Sequence, residues 1–279
     1  MIERSVLMIG GGRMGRALAQ GMIRGGALAA ERLVVADHNQ QSQRWWAENV
    51  PQATVVPSAA EAFADDSGKA EERIVLLAVK PNRIESLIRQ IRSSDETVWQ
   101  KSLVISVAAG VGLEQLAELL ASERVVRVMP NTPSLVGAGA SAYCSGAAVS
   151  EADDRDLRTI LESVGEVVAV PEYQMDAVTG VSGSGPAYVF LFIEALADGG
   201  VLAGLPRATA MQLATQTVLG AAQMVAETGE HPGQLKDAVA SPGGTTIAAL
   251  RTLEHNAFRA AVIDAVKASA DRSRELSGG

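Results

Sequence analysis

Cysteine is almost missing from this sequence. Cys144 is the single one among 279 residues, so no disulfide can close within the chain, which fits a reducing compartment. A lone thiol of this kind is expected to pack as a small hydrophobe. Aromatic residues make up only 4%, which leaves the core to Ala, Val, Leu, Ile and Met. Positive charge is short as well: 24 Lys and Arg face 32 Asp and Glu, a net charge of −8. A nucleic-acid partner needs a basic face and an anionic membrane attracts basic segments, so neither is expected as a partner. His38, His231 and His255 are scattered without metal-ligand spacing, so no metal is expected. The phosphate-loop pattern G-x-x-x-x-G-K-[ST] and the G-x-S-x-G nucleophile elbow are both absent. Long apolar runs are missing too: Ala187 to Ile193 stops at Glu194 and Asp198, short of the ~20 residues of a spanning helix. Glu3 and Arg4 precede only a short apolar run ending at Gly10, which does not read as a signal peptide, so a cytoplasmic chain is expected.

What is present is an ordinary globular mixture, 47% hydrophobic and 20% charged, in a chain long enough for two domains. Val6 to Ile9, Leu33 to Ala36, Val55–Val56, Ile74 to Val79, Leu103 to Val107 and Val125 to Met129 are short apolar runs. Such runs read as strands covered on both faces. Arg13 to Arg24, Gln41 to Glu48, Arg83 to Ile91 and Leu113 to Leu120 lie between them and read as the covering helices. Ala140 to Cys144 and Glu166 to Val170 read as later strands toward an edge, flanking a helix from Glu151 to Val164. After Pro171 the pattern becomes helical throughout. Ala187 to Leu202 is apolar almost all round, which suggests burial by a partner subunit. A helix to Glu227 follows Pro206, and more lie between Gly233 and Leu276. The sequence therefore predicts an α/β fold: a doubly wound, mostly parallel sheet over 1–171, then an all-α domain over 172–279.

Gly10–Gly11–Gly12–Arg13–Met14–Gly15 follows the first strand and opens the first helix, the context that gives G-x-G-x-x-G its meaning. Gly10 permits the tight turn, Gly12 lets a pyrophosphate approach the backbone, and Gly15 lets the helix lie close on the strand. This is the fingerprint of a Rossmann-type dinucleotide-binding domain. Asp37 stands 22 positions after Gly15, at the end of the second strand. A carboxylate there accepts hydrogen bonds from ribose hydroxyls and repels a 2′-phosphate, which favours NAD(H). His38 and Arg44 are close enough in sequence to help bind a 2′-phosphate, so NADPH and NADH both stay open. Ala78–Val79–Lys80–Pro81 and Ala108–Ala109–Gly110 end two further strands and offer small backbone beside a flat ring, with Lys80 available to an anion. Asn131, in the rigid loop Met129 to Pro133, has two open roles: binding a carboxamide or bonding a neighbouring loop. Trp45 and Trp46 are expected to cover the sheet or a helix face.

Two segments rich in small and hydroxyl residues lead into helices of the second half. They are Gly180 to Tyr188 and Ser241–Pro242–Gly243–Gly244–Thr245–Thr246. N-capping explains one hydroxyl, not two glycines followed by two threonines.

With these segments in view, the sequence resembles the pyrroline-5-carboxylate reductase family, nearly from end to end. The resemblance is carried by Gly10 to Gly15, Val79–Lys80–Pro81, Ser106 to Gly110 and Met129 to Pro133. It continues through Val181 to Phe190 and His231–Pro232–Gly233 to its most specific part, Ser241 to Thr246. The resemblance implies reduction of 1-pyrroline-5-carboxylate to L-proline by NADPH or NADH, and a homodimer through the helical domain, assembled in some relatives into a decamer. It implies a substrate site at Ser241, Gly243, Gly244, Thr245 and Thr246, with Thr246 donating to the ring nitrogen. One departure stands out: Ala36–Asp37–His38–Asn39 lacks the Ser/Thr- and Arg-containing pattern of NADPH-preferring relatives. Competing readings are another imine reductase, a 6-phosphogluconate or β-hydroxyacid-type dehydrogenase of the same layout, and a nicotinamide-sensing protein without turnover. The dehydrogenase needs a lysine–asparagine pair in the helical domain, and neither Lys236 nor Lys267 has one beside it.

Overall fold

The computed structural model describes residues 1–64, 72–92 and 99–277. By compactness the chain forms two units, Met1–Gly183 with the chain's end from Ser269, and Ser184–Ala268. The sequence predicts a division at 171, where the residue pattern becomes helical. Compactness divides the chain twelve residues later, because α7 (Met175–Val178) and the π-turn Thr179–Gly183 pack with the first unit.

The first unit is built on a sheet of eight strands among the described residues. They are β1 (Val6–Ile9), β2 (Leu33–Ala36), β3 (Thr54–Val56), β4 (Arg73–Leu77), β5 (Ser102–Ser106), β6 (Val125–Met129), β7 (Gly139–Ser145) and β8 (Gly165–Ala169). The order is β3-β2-β1-β4-β5-β6-β7-β8. All pairs are parallel except β6 with β7. The helices between are α1 (Arg13–Arg24), α2 (Gln40–Asn49), α3 (Ala59–Ala64), α4 (Pro81–Arg92), α5 (Leu113–Leu120) and α6 (Glu151–Glu162). Alternation along the strands divides the core. Val6 and Met8 join Leu18, Met22, Trp46, Leu157 and Leu161 on one face. Leu7 and Ile9 join Ile84, Ile88, Leu116 and Leu120 on the other.

Two strands are shorter than their apolar runs. Ala78 and Val79 leave β4 after Leu77, and Val107 leaves β5 after Ser106. Cys144 is buried, and desolvation pushes its thiol up to about 11, which keeps it inert at neutral pH.

The starts of the strands are fastened by charge. Asp153, with its side chain fully buried, forms a capping box with Ser150 at the start of α6. It also accepts from Arg4, just before β1, at 2.6 Å, and from Arg124, just before β6, at 2.8 and 2.9 Å. Burial alone would push this carboxyl up, but hydrogen bonds from Arg124, Arg4 and Ser150 outweigh it and hold the carboxyl well below the usual range.

The second unit is helical: α8 (Gly185–Leu202), α9 (Arg207–Thr228), α10 (Pro232–Ala238), α11 (Thr245–His255) and most of α12 (Phe258–Leu276). Its α8–α9 contact is close, since a Cβ on Gly200 would stand 3.1 Å from that of Ala210. Its buried apolar cluster is only Ala197, Ala210 and Ala214. Phe190, Leu191, Leu202, Leu213 and Ile263 are more than half exposed. Glu194 and Asp198 lie within α8, which runs to Leu202 as the sequence predicts. By length and composition alone, the helical run Glu172–Leu202, which contains an 18-residue window of mean hydropathy 1.3, would suffice to cross a membrane.

Asp153→Asn should lower unfolding stability by about 3 kcal/mol at neutral pH, because the part-buried Arg4 and Arg124 lose their shared negative partner. The folded carboxyl titrates lower than the unfolded one. Its contribution is therefore whole above about pH 5 and drains away as pH falls below about 4. Urea titrations from pH 7 to pH 3 should show that loss in the parent and a flatter curve in the variant.

Candidate functional site

In a parallel sheet the carboxyl ends of the strands share one edge, and ligands lie beyond it. Here that edge gathers the turn after β1, Asp37 after β2, Ala78–Val79 after β4, Ala108 after β5 and Asn131 after β6. Gly10 has φ +102°, and a Cβ on it would lie 2.6 Å from the carbonyl oxygen of Ala78. A Cβ on Gly15 would lie 2.5 Å from the carbonyl oxygen of Gly10. A Cβ on Gly12 would meet nothing within 4 Å, so its face is open. The first turn of α1, beginning at Arg13 and Met14, has no side-chain cap at Gly12. Its N–H groups and dipole are therefore left for an anion. A turn with two tight glycines, one open glycine and uncapped donors fits the pyrophosphate of a dinucleotide.

Asp37 Oδ2 accepts from the Gly11 N–H at 3.0 Å, and Oδ1 accepts from the Asn39 N–H at 2.9 Å. The carboxylate is thus fixed at the end of β2. His38 is almost fully exposed, with Nδ1 3.8 Å from Asp37 Oδ1. Lys80 and Pro81 are exposed at the start of α4, Ala108 is buried, and Gly110 turns with φ +77°. Of the two roles open to Asn131, the structure fills the loop-bonding one. Its Oδ1 accepts from the Ala140 N–H at 2.9 Å and its Nδ2 donates to the Ser182 carbonyl at 3.1 Å, inside the π-turn.

The structure adds residues that sequence reasoning missed. The Gly11 carbonyl accepts from Trp46 Nε1 at 3.1 Å, Ser42 Oγ at 3.0 Å and Arg16 Nε at 3.1 Å. Trp46 is fully buried, and Arg16 lies over the Trp45 ring at 4.1 Å. One signal was available: Ser42 and Trp46 are four apart on one helix face, and a buried indole N–H needs an acceptor.

Ser241–Thr246 lies in the other compact unit. Gly243 turns with φ +66°, and the Gly244 N–H donates to the Ser241 carbonyl at 3.0 Å. A Cβ on Gly244 would lie 2.3 Å from Ser241 Oγ. Gly244 is the N-cap of α11 and supplies no side-chain bond, so the first-turn N–H groups are uncapped although hydroxyls stand on both sides. Thr245 is exposed and Thr246 half-buried.

Comparison with known proteins agrees with both halves of this description. Residues 172–276 match the family model for pyrroline-5-carboxylate reductase dimerisation, and residues 5–110 match a model described as NADP oxidoreductase, coenzyme F420-dependent. A pyrroline-5-carboxylate reductase of Glycine max is 45% identical over 96% of this chain and 94% of its own. That of Escherichia coli (strain K12) is 41% identical over 99% of both chains. Among solved structures, a Coxiella burnetii pyrroline-5-carboxylate reductase superposes with a TM-score of 0.89 at 34% identity over 99% of both chains. The Plasmodium falciparum pyrroline carboxylate reductase, solved with NADP bound, gives 0.84 at 34% identity over 99% of both. With its glycine turn, its glycine–threonine bend and relatives matched along nearly its whole length, the chain belongs to the pyrroline-5-carboxylate reductase family.

Proposed function

We propose that this protein reduces 1-pyrroline-5-carboxylate to L-proline, the closing step of proline synthesis, in the cytoplasm. The observation that carries this reading is the 45% identity over 96% of the chain to a reductase of that name. The open glycine turn supports it. The dinucleotide, when bound, supplies the hydride.

Gly10, Gly11, Gly12, Arg13, Met14 and Gly15 form the turn that receives the pyrophosphate on main-chain N–H groups. Asp37 accepts from the adenosine ribose hydroxyls, and its fixed carboxylate opposes a 2′-phosphate, which favours NADH over NADPH. Lys80 contributes positive charge. Ala78, Val79 and Pro81, with Ala108, Ala109 and Gly110, keep the backbone low beside the flat ring, and Asn131 holds the neighbouring turn. At Ser241, Gly243, Gly244 and Thr245, the uncapped N–H groups of α11 receive the substrate carboxylate without needing a lysine or arginine. Thr246 Oγ1 donates to the ring nitrogen, where electron density collects as the C=N bond is reduced. General-acid help of this kind is typically worth about 10²–10⁴-fold.

We assign residues 172–279 to substrate binding and dimerisation. Helices that bury only three alanines within one chain need a second surface to cover Phe190, Leu191 and Leu213. A second copy of the same helices supplies it, and higher assembly to a decamer is compatible with this pairing. Such burial also accounts for the apolar length of Glu172–Leu202 without a membrane.

Steady-state turnover of 1-pyrroline-5-carboxylate with NADH and NADPH in parallel tests the whole reading, and no turnover with either would overturn it. Thr246→Ala should lower kcat at least about tenfold while dinucleotide KM is kept; unchanged turnover removes Thr246 from the mechanism. Asp37→Ala should weaken NADH more than NADPH in fluorescence titrations, whereas equal losses would take the ribose contact away from Asp37. Sedimentation should give at least twice the 29.0 kDa chain mass, and a monomer at working concentration would contradict the dimer.

A further inference from the structure

The two peptides that meet at Gly11 are both held. The Gly11 N–H is bound by Asp37, and the Gly11 carbonyl takes hydrogen bonds from Trp46, Ser42 and Arg16. Three donors on one carbonyl exceed its two lone pairs, so this oxygen is satisfied several times over. The chain contains no cis peptide bond among the described residues. In a trans peptide the carbonyl of one residue and the N–H of the next point in opposite directions. Fastening the Gly11 carbonyl to the α2 side therefore aims the Gly12 N–H the other way. The space beside the Gly12 Cα is also open, with nothing within 4 Å of where a Cβ would stand.

Without those donors the peptide between two glycines would turn easily, because neither residue has a side chain to oppose rotation. A turned peptide would present a carbonyl oxygen, not an N–H, to an incoming phosphate. Trp46 is the stiffest of the three donors. Its ring is fully buried in the core, it packs edge-on against Trp45 with centroids 5.3 Å apart, and Trp45 in turn carries Arg16 on its face. The ring also closes on Gly11, since a Cβ there would lie 2.3 Å from Trp46 Nε1.

We propose that Trp46, assisted by Ser42 and Arg16, is a positioning residue for the dinucleotide: its indole N–H orients the Gly11–Gly12 peptide so that the Gly12 N–H faces the pyrophosphate. The Gly11 N–H, in the preceding peptide, holds the Asp37 carboxylate separately at 3.0 Å. This inference rests on the reading of the glycine turn as a dinucleotide site.

The test compares the parent protein with Trp46→Phe, which keeps a buried ring and removes the donor, and with Ser42→Ala, a small change at the same carbonyl. Calorimetric titration with ADP-ribose, which carries the pyrophosphate without the reacting ring, reads the site independently of turnover. Trp46→Phe should weaken ADP-ribose and raise dinucleotide KM about fivefold or more, and Ser42→Ala about twofold. The KM for 1-pyrroline-5-carboxylate and kcat at saturating dinucleotide should stay within about twofold, a split that a general loss of folding would not produce. Unchanged ADP-ribose affinity in folded Trp46→Phe would overturn the proposal. Should that variant not fold, unchanged affinity in Ser42→Ala would do the same. If the parent itself does not bind ADP-ribose, the reading of the turn fails and the inference fails with it. If the parent binds and the variants match it, only the inference fails.

Discussion

The carboxyl edge of the sheet depends on how closely the turn after β1 lies between its neighbours. The Gly10 N–H extends the ladder to β2 by donating to the Ala36 carbonyl at 2.9 Å. The Ala78 N–H extends the ladder from β4 by donating to Ile9 at 2.9 Å. Gly10 is thus clasped between two strands, and a side chain there would collide with the Ala78 carbonyl. α1 is then drawn onto the turn, because Gly15 has no Cβ to keep it off the Gly10 carbonyl. With β1 and α1 fixed at this separation, only Gly12 faces outward. The open face over Gly12 follows from that close approach, and Asp37 is fixed beside it by the Gly11 and Asn39 N–H groups.

Much of this was legible in the sequence because it is local. Apolar runs, the glycine spacing and Asp37 at the end of a strand all lie within a few dozen residues and follow from period and turn chemistry. The resemblance at Ser241 to Thr246 was equally direct. What escaped were bonds between distant residues. Nothing near Trp46 in the chain says that its indole meets a carbonyl 35 positions earlier. Asn131 reads equally as ligand or brace until Ala140 and Ser182 are seen to occupy its amide. The end of α12 reads as part of the helical half, yet Ser273 Oγ donates to Asp176 at 2.7 Å, and that contact helps place it with the first unit. The strand ends shifted for a related reason: hydrophobicity continues through Val79, but β4 ends at Leu77 and the ladder goes only one bond further, through the Ala78 N–H.

The two units satisfy their apolar surface in different ways. The first closes a core on each face of its sheet and fastens the strand starts through Asp153, Arg4 and Arg124, at the opposite end from the glycine turn. Its stability can be altered there without touching the donors at the carboxyl edge. The second has three buried alanines and many exposed large apolar side chains. Small residues between α8 and α9 let the helices approach closely, but that contact buries little area. On the proposed reading, at roughly 25 cal/mol per Å² of apolar surface, the stability of such helices comes mainly from the second copy that covers them. On the proposed reading, assembly is then a condition of folding for this half.

A protein with a net charge of −8 is an unexpected receptor for two anions, a dinucleotide and a carboxylate. The difficulty disappears when the donors are main-chain N–H groups. Their attraction acts over the length of a hydrogen bond, where the local geometry outweighs a distant and salt-screened net charge. Each of the two helix starts that carry the proposal, α1 and α11, has glycine at its N-cap and no side-chain cap. A serine or aspartate there would stabilise the helix by about 1 kcal/mol, but would occupy the donors that an anion needs. Leaving them uncapped sacrifices that stability and makes orientation the critical quantity, since an unfastened glycine peptide can rotate its N–H away. In the first unit the fastening is on view at Gly11. In the second, the Ser241 carbonyl holds the Gly244 N–H and the turn at Gly243 sets its direction. On the proposed reading the chain replaces charged side chains with aimed peptides, and the residues that aim them matter as much as the glycines that lie against the ligand.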